Sequence, residues 1–67
     1  MEITKDLLEY IKNKEIKITP KFFNGISMYT FDGKVIGFFS LGTDFFIEYE
    51  DGRLINTRYI ESIRVIK

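Results

Sequence analysis

The stretch KVIGFFSLGTDFFIEYEDGR, Lys34 to Arg53, decides how this chain folds. It carries Phe38 and Phe39, then Phe45 and Phe46, as two adjacent pairs, and Tyr49 follows. In a strand successive side chains face opposite ways, so one phenylalanine of each pair points to the core and the other away from it. Gly42-Thr43 separates "KVIGFFSL" from "DFFIEYE", and Asp51-Gly52 supplies hairpin chemistry between that second run and "RLINTR". Gly37 interrupts the first run. A glycine in mid-strand weakens a flat sheet but permits the sharp bend of a small barrel.

Upstream, "ISMYTF" (Ile26–Phe31) is a further strand-like run, and Asp32-Gly33 between apolar residues predicts a hairpin into Lys34. Downstream, "YIES" breaks the alternation as a single helical turn, and "IRVIK" closes the chain as a last short strand. Nearer the start, "EIKIT" alternates polar and β-branched residues and reads as a short strand ending at Pro20. "PKFFNG" is a connection with turn chemistry at Asn24-Gly25.

The opening "ITKDLLEYIKNK" has a helical period instead. Thr4 suits the N-cap and Asp6 the first turn, where a negative charge favours the helix dipole. Ile3, Leu7, Leu8 and Ile11 fall on one face, and Lys12 and Lys14 gather at the C-terminal end. The expected fold is mainly β with one N-terminal α-helix: a small, strongly bent antiparallel barrel. It forms a single domain over 1–67, with a capping helix at 1–14, a strand or arm at 15–25 and the barrel at 26–67.

A chain of 67 residues buries only about 60% of its unfolded surface, so self-association is expected to bury more. Cysteine and histidine are both absent, which removes disulfides, the usual zinc ligands and the usual general base near neutral pH. With no glycine-rich phosphate loop either, neither catalysis nor a cofactor is expected. Ten basic and ten acidic residues cancel, so no global field recruits a polyanion. The acidic run Asp44, Glu48, Glu50 and Asp51 reads as a solvated face, with Glu50 and Arg53 pairing across the turn. No apolar run nears the ~20 residues of a membrane span, and no signal-peptide pattern opens the chain. A cytoplasmic protein without a membrane partner is the expectation.

The pattern from Ile26 to Tyr49, "ISMYTFDGKVIGFFSLGTDFFIEY", resembles the Sm-like family (Sm, LSm and bacterial Hfq-like proteins). It shows an apolar strand, an Asp-Gly turn, a strand bent at a glycine and a loop leading to a Phe-led strand. "TRYIESIRVI" is similar to the family's second signature, so the likeness runs from about Ile26 to Ile66. The resemblance implies a helix capping a five-stranded bent barrel, subunits joined edge to edge into rings, and RNA as ligand. Thr43 and Asp44 stand where the family has an acidic residue and a loop glutamine, and the histidine of its closing turn is absent near Thr57-Arg58-Tyr59. The same strand order describes SH3-like barrels, many of which bind proteins.

A two-residue turn at Asp51-Gly52 would set Phe45 opposite Arg58 on one face. An aromatic ring beside a guanidinium suits base stacking with phosphate neutralisation. The resemblance implies that Phe45 stacks a base in the ring's pore while Arg58 meets phosphate. The candidate nucleic-acid contacts are therefore Phe45, Arg58, Tyr59 and Lys34. The structural alternative buries Phe45, Ile47, Tyr49 and Leu54 as one face with Arg58 at its rim. The outward members of the phenylalanine pairs are expected to lie under the helix and arm.

Overall fold

The computed structural model describes residues 2–21 and 30–67. The elements run α1 (Lys5–Ile11), β1 (Glu15–Pro20), β2 (Phe31–Leu41), β3 (Asp44–Tyr49), β4 (Leu54–Asn56), a 3₁₀ turn (Thr57–Tyr59) and β5 (Ile60–Val65). The strands form one antiparallel sheet in the order β4-β3-β2-β1-β5. The expected strand over Ile26–Phe31 and the turn at Asn24-Gly25 lie largely outside the described residues.

Helix α1 is too short to stand alone and forms because both its ends and one face are satisfied. Thr4 Oγ1 accepts from the Leu7 N–H at 3.1 Å, and Asp6 occupies the first turn. At the other end the Lys14 ammonium donates to the Tyr10 carbonyl at 2.6 Å and sits 4.4 Å from that ring's centroid. Leu8 and Ile11 are buried, one helical turn apart. The chain then reverses in a type II turn over Ile11–Lys14. Lys12 is extended, Asn13 is left-handed at φ 67°, and the Lys14 N–H donates to the Ile11 carbonyl at 3.1 Å. Asn13 and Lys14 exchange backbone hydrogen bonds with Val35, which places β1 beside β2.

Alternation in β1 buries Ile16, Ile18 and Pro20. Their cross-strand neighbours Ile63 and Val65 pack on the same core, and Ile60 is fully buried beside Pro20. From the other half of the sheet come Val35, Ile47, Tyr49 and Ile55, and from the helix Leu8 and Ile11.

Asp32-Gly33 is not the hairpin its sequence predicts. Both residues lie inside β2, where Asp32 pairs with Lys17 and Gly33 with Ile16. The reason is β1: "EIKIT" supplies a full partner strand, and its ladder runs straight through the Asp-Gly step. The bend in β2 also has a different origin. Register slips by one residue between Val35 and Gly37, a bulge centred on Ile36. Gly37 has no positive φ, and a Cβ there would meet nothing within 4 Å. Irregular pairing bends the strand, and glycine is not sterically required for it.

The sheet is strongly curled. β4 and β5 are its opposite edges, yet Asn56 and Ile60 are joined by Thr57–Tyr59 alone. Four residue steps span at most about 14 Å. Four strand spacings in a flat sheet need about 19 Å. Curling brings the edges within that reach, but no β4–β5 ladder is formed among the described residues. The barrel expected from the sequence is therefore an open, curled sheet. β4 is only three residues long and passes at once into the 3₁₀ turn, whose 60-side end delivers the chain to β1 instead. No helix among the described residues is long and apolar enough to cross a membrane.

Candidate functional site

The β3–β4 hairpin sets the geometry of the candidate contacts. The Tyr49 N–H donates to the Arg53 carbonyl at 2.9 Å, and the Gly52 N–H donates to the Tyr49 carbonyl at 3.0 Å. The loop is thus Glu50-Asp51-Gly52, with Gly52 left-handed at φ 97°. This is the three-residue hairpin closed by a glycine bulge. Ile47 consequently faces Ile55 and Phe46 faces Asn56. That is one residue away from the register that a two-residue turn gives.

The single step reverses the expected site. Phe45 pairs with Ser40 and keeps the strand parity of buried Ile47 and Tyr49, although it is 41% exposed at the sheet's end. Phe46 lies on the opposite, outward surface, where its ring stacks on Phe39 with centroids 5.5 Å apart and planes 16° from parallel. Leu54 pairs with Glu48 on that outward surface and is exposed, so it does not join Ile47 and Tyr49 in one buried face. Helix α1 contributes to the inner core and not to the Phe39–Phe46 surface, as the burial of Leu8 and Ile11 among the inward side chains requires.

Arg58 also reaches the outward surface. Its guanidinium donates to Asp44 Oδ1 at 2.7 Å, and Asn56 Nδ2 donates to Asp44 Oδ2 at 3.2 Å. Asn56 Oδ1 in turn accepts the Arg58 N–H at 2.9 Å and caps the 3₁₀ turn. Asp44, Asn56 and Arg58 close a ring of hydrogen bonds that fixes the turn to the start of β3. Tyr59 is exposed in the same turn, and its carbonyl accepts from the Lys21 N–H at 2.9 Å. Lys34 is elsewhere: its carbonyl accepts from Glu50 at 2.8 Å, at the opposite end of the hairpin. From Glu50 back to Phe45 is about 16 Å of extended strand.

So Phe45, Arg58 and Tyr59 occupy one end of the sheet, with Phe45 and Arg58 on different surfaces, while Lys34 stands apart. The sequence reading placed the outward phenylalanines under the helix and arm, whereas Phe39 and Phe46 stack on the outward surface, and it passed over the Asp44–Asn56 pair. The signal available for them was Gly52 after Glu50-Asp51, which fits a three-residue loop as well as a two-residue one.

The hairpin tip holds a second polar cluster. Arg53 Nε donates to Asp51 Oδ2 and Arg53 Nη2 to the Asp32 carbonyl, both at 2.7 Å. The guanidinium lies 4.7 Å from the Tyr49 ring centroid and 5.8 Å from that of Phe31. Asp51, and not the expected Glu50, is therefore the partner of Arg53. That hydrogen bond holds the Asp51 carboxyl below its ordinary value. Tyr49 is buried beneath the guanidinium, and its hydroxyl donates to the Phe31 carbonyl at 2.8 Å. Burial pushes the Tyr49 hydroxyl up to about 12, with Arg53 pulling more weakly the other way. Glu15, Asp32 and Lys34 complete the rim of a shallow depression here. Among the described residues no three Asp or Glu side chains converge to hold a metal ion.

No family model, curated protein or solved structure matches this chain.

Proposed function

We propose that this chain is a non-catalytic, Sm-like RNA-binding module that acts as a homo-oligomer. The supporting observation is the strand order β4-β3-β2-β1-β5 in a sheet curled enough to bring its two edges within a three-residue link. Among the described residues, both edges keep backbone groups that the sheet does not use. Because Tyr49 bonds Arg53 across the hairpin, alternation turns the N–H and C=O of Leu54 and the N–H of Asn56 away from β3, while the Asn56 carbonyl belongs to the 3₁₀ turn that it caps. Because the Ile66 N–H donates to Glu15, those of Ile63 and Val65 turn away from β1. An edge of this kind recruits another strand unless it is covered. On this reading β4 of one copy pairs with β5 of the next and the barrel closes within the assembly. Phe45 and Tyr59 would stack bases, and Arg58 would meet phosphate.

Solution mass by light scattering tests the assembly, with several subunits expected and a persistent monomer counting against it. Titration with short poly-A and poly-U RNA at two salt concentrations tests the ligand. Phe45→Ala with Tyr59→Ala should weaken binding by about 1–3 kcal/mol per stacked base.

One observation favours a second reading, an SH3-like protein-binding module acting as a small regulator. The outward surface of β2–β4 combines exposed Phe39, Leu41 and Leu54 with Glu48 and with an arginine already paired to Asp44. A protein that stays monomeric and ignores RNA would fit this reading instead.

A further inference from the structure

We propose that Asp44 is a built-in competitor for phosphate at Arg58, setting how strongly the module engages a nucleic-acid backbone. The inference rests on the RNA-binding reading above and concerns the regulation of that same site.

Arg58 projects from the 3₁₀ turn with 60% of its side chain exposed, and the proposed function assigns it the phosphate contact. Its partner is a carboxylate 2.7 Å away, a pairing with the geometry of a guanidinium–phosphate contact. Asp44 is held in place independently of Arg58, since its second oxygen accepts from Asn56 and its side chain is only 29% exposed. Asn56 also fixes the backbone of Arg58. Both members of the ion pair are thus positioned by one asparagine, and the carboxylate lies where an incoming phosphate oxygen would bind. A phosphate must displace Asp44 or share the guanidinium with it, under repulsion from the negative charge. Arg58 can then contribute little to affinity in the native protein and much more once the carboxylate is neutral.

The experiment is titration of short poly-U RNA at two salt concentrations into the full chain, as wild type, Asp44→Asn, Arg58→Ala and the double variant. Asp44→Asn keeps shape and one acceptor while removing the charge. Asp44→Ser, too short to reach Arg58, serves as a second variant, and thermal melts confirm that each folds. Neutralising Asp44 should tighten binding roughly two- to fivefold, the range of an exposed ion pair. The salt slope should steepen by about 0.7, the release expected for one added single-strand phosphate contact. Arg58→Ala should have a small effect in the wild type and abolish the whole gain in Asp44→Asn.

Wild type that binds, with affinity and slope unchanged in both Asp44 variants, overturns the inference and leaves the RNA reading standing. Wild type that fails to bind while the Asp44 variants do bind supports the inference and overturns RNA binding as the native role. Absence of binding in every variant overturns both.

Discussion

Cδ1 of Tyr49 lies 3.0 Å from the point where a Cβ on Gly33 would stand, and Arg53 Nη2 lies 3.1 Å from it. Gly33, with φ 155°, is the floor on which the buried tyrosine and its covering guanidinium are stacked. Gly33→Ala has no free volume and an unfavourable backbone, so it should destabilise by about 1–3 kcal/mol. Gly37→Ala, on an open surface with ordinary φ, should stay within about 0.5 kcal/mol of wild type. Urea unfolding of the two variants side by side checks the contrast. Equal losses would restore Gly37 as the residue on which the bend depends.

The Tyr49 hydroxyl couples stability to alkaline pH. It stays protonated to about 12 in the fold, whereas an exposed tyrosine ionises near 10. Below about 10 both states carry the proton and this contribution is complete. Between about 10 and 12 only the unfolded chain gives it up, so stability falls as pH rises. The loss over that window is on the order of 2–3 kcal/mol. Tyr49→Phe should cost about 1–2 kcal/mol at neutral pH, because the Phe31 carbonyl loses its donor, and should flatten the alkaline decline. Chemical denaturation from pH 8 to pH 12 measures both effects.

Asn13 is left-handed at the third position of its turn. Asn13→Gly should be close to neutral, since glycine suits the same conformation. A β-branched residue there carries the left-handed penalty of roughly 1–2 kcal/mol. Melting temperatures of Asn13→Gly and Asn13→Val, in that descending order, are the expected result.

At the hairpin tip the sign is reversed relative to Tyr49. The Asp51 carboxyl is held below its ordinary 3.8 by the Arg53 hydrogen bond. Its contribution is present above the unfolded value and disappears as pH falls through the lowered folded value. Acid titration of wild type and Asp51→Asn should show a shallower acid-side decline in the variant.

Local chemistry was legible where neighbours in sequence are also neighbours in space. Thr4, Asp6, Leu8 and Ile11 announce the helix, and the alternation of "EIKIT" announces β1 ending at Pro20. "DFFIEY" announces β3, but the helical turn expected at "YIES" falls two residues earlier, at Thr57–Tyr59, where Asn56 caps it, and Ile60–Ser62 belong to β5. Asp32-Gly33 misled because a turn signal is only a local preference. The ladder with β1 and the packing of Tyr49 on Gly33 outweigh it. The face shared by Arg58 was misread because a period of two converts a one-residue error in loop length into a complete exchange of surfaces.

By itself, then, the sequence determined a short capped helix, strongly apolar alternating strands and a chain without the residues for thiol or imidazole chemistry. These follow from side-chain type and spacing, which need no knowledge of distant contacts. Only the tertiary structure decided that the sheet curls without closing, that Phe46 and Phe39 share the outward surface reached by Arg58, and that Asp44 occupies that arginine. Each depends on register between strands, and register is fixed by how the whole core packs around Ile16, Ile47 and Tyr49.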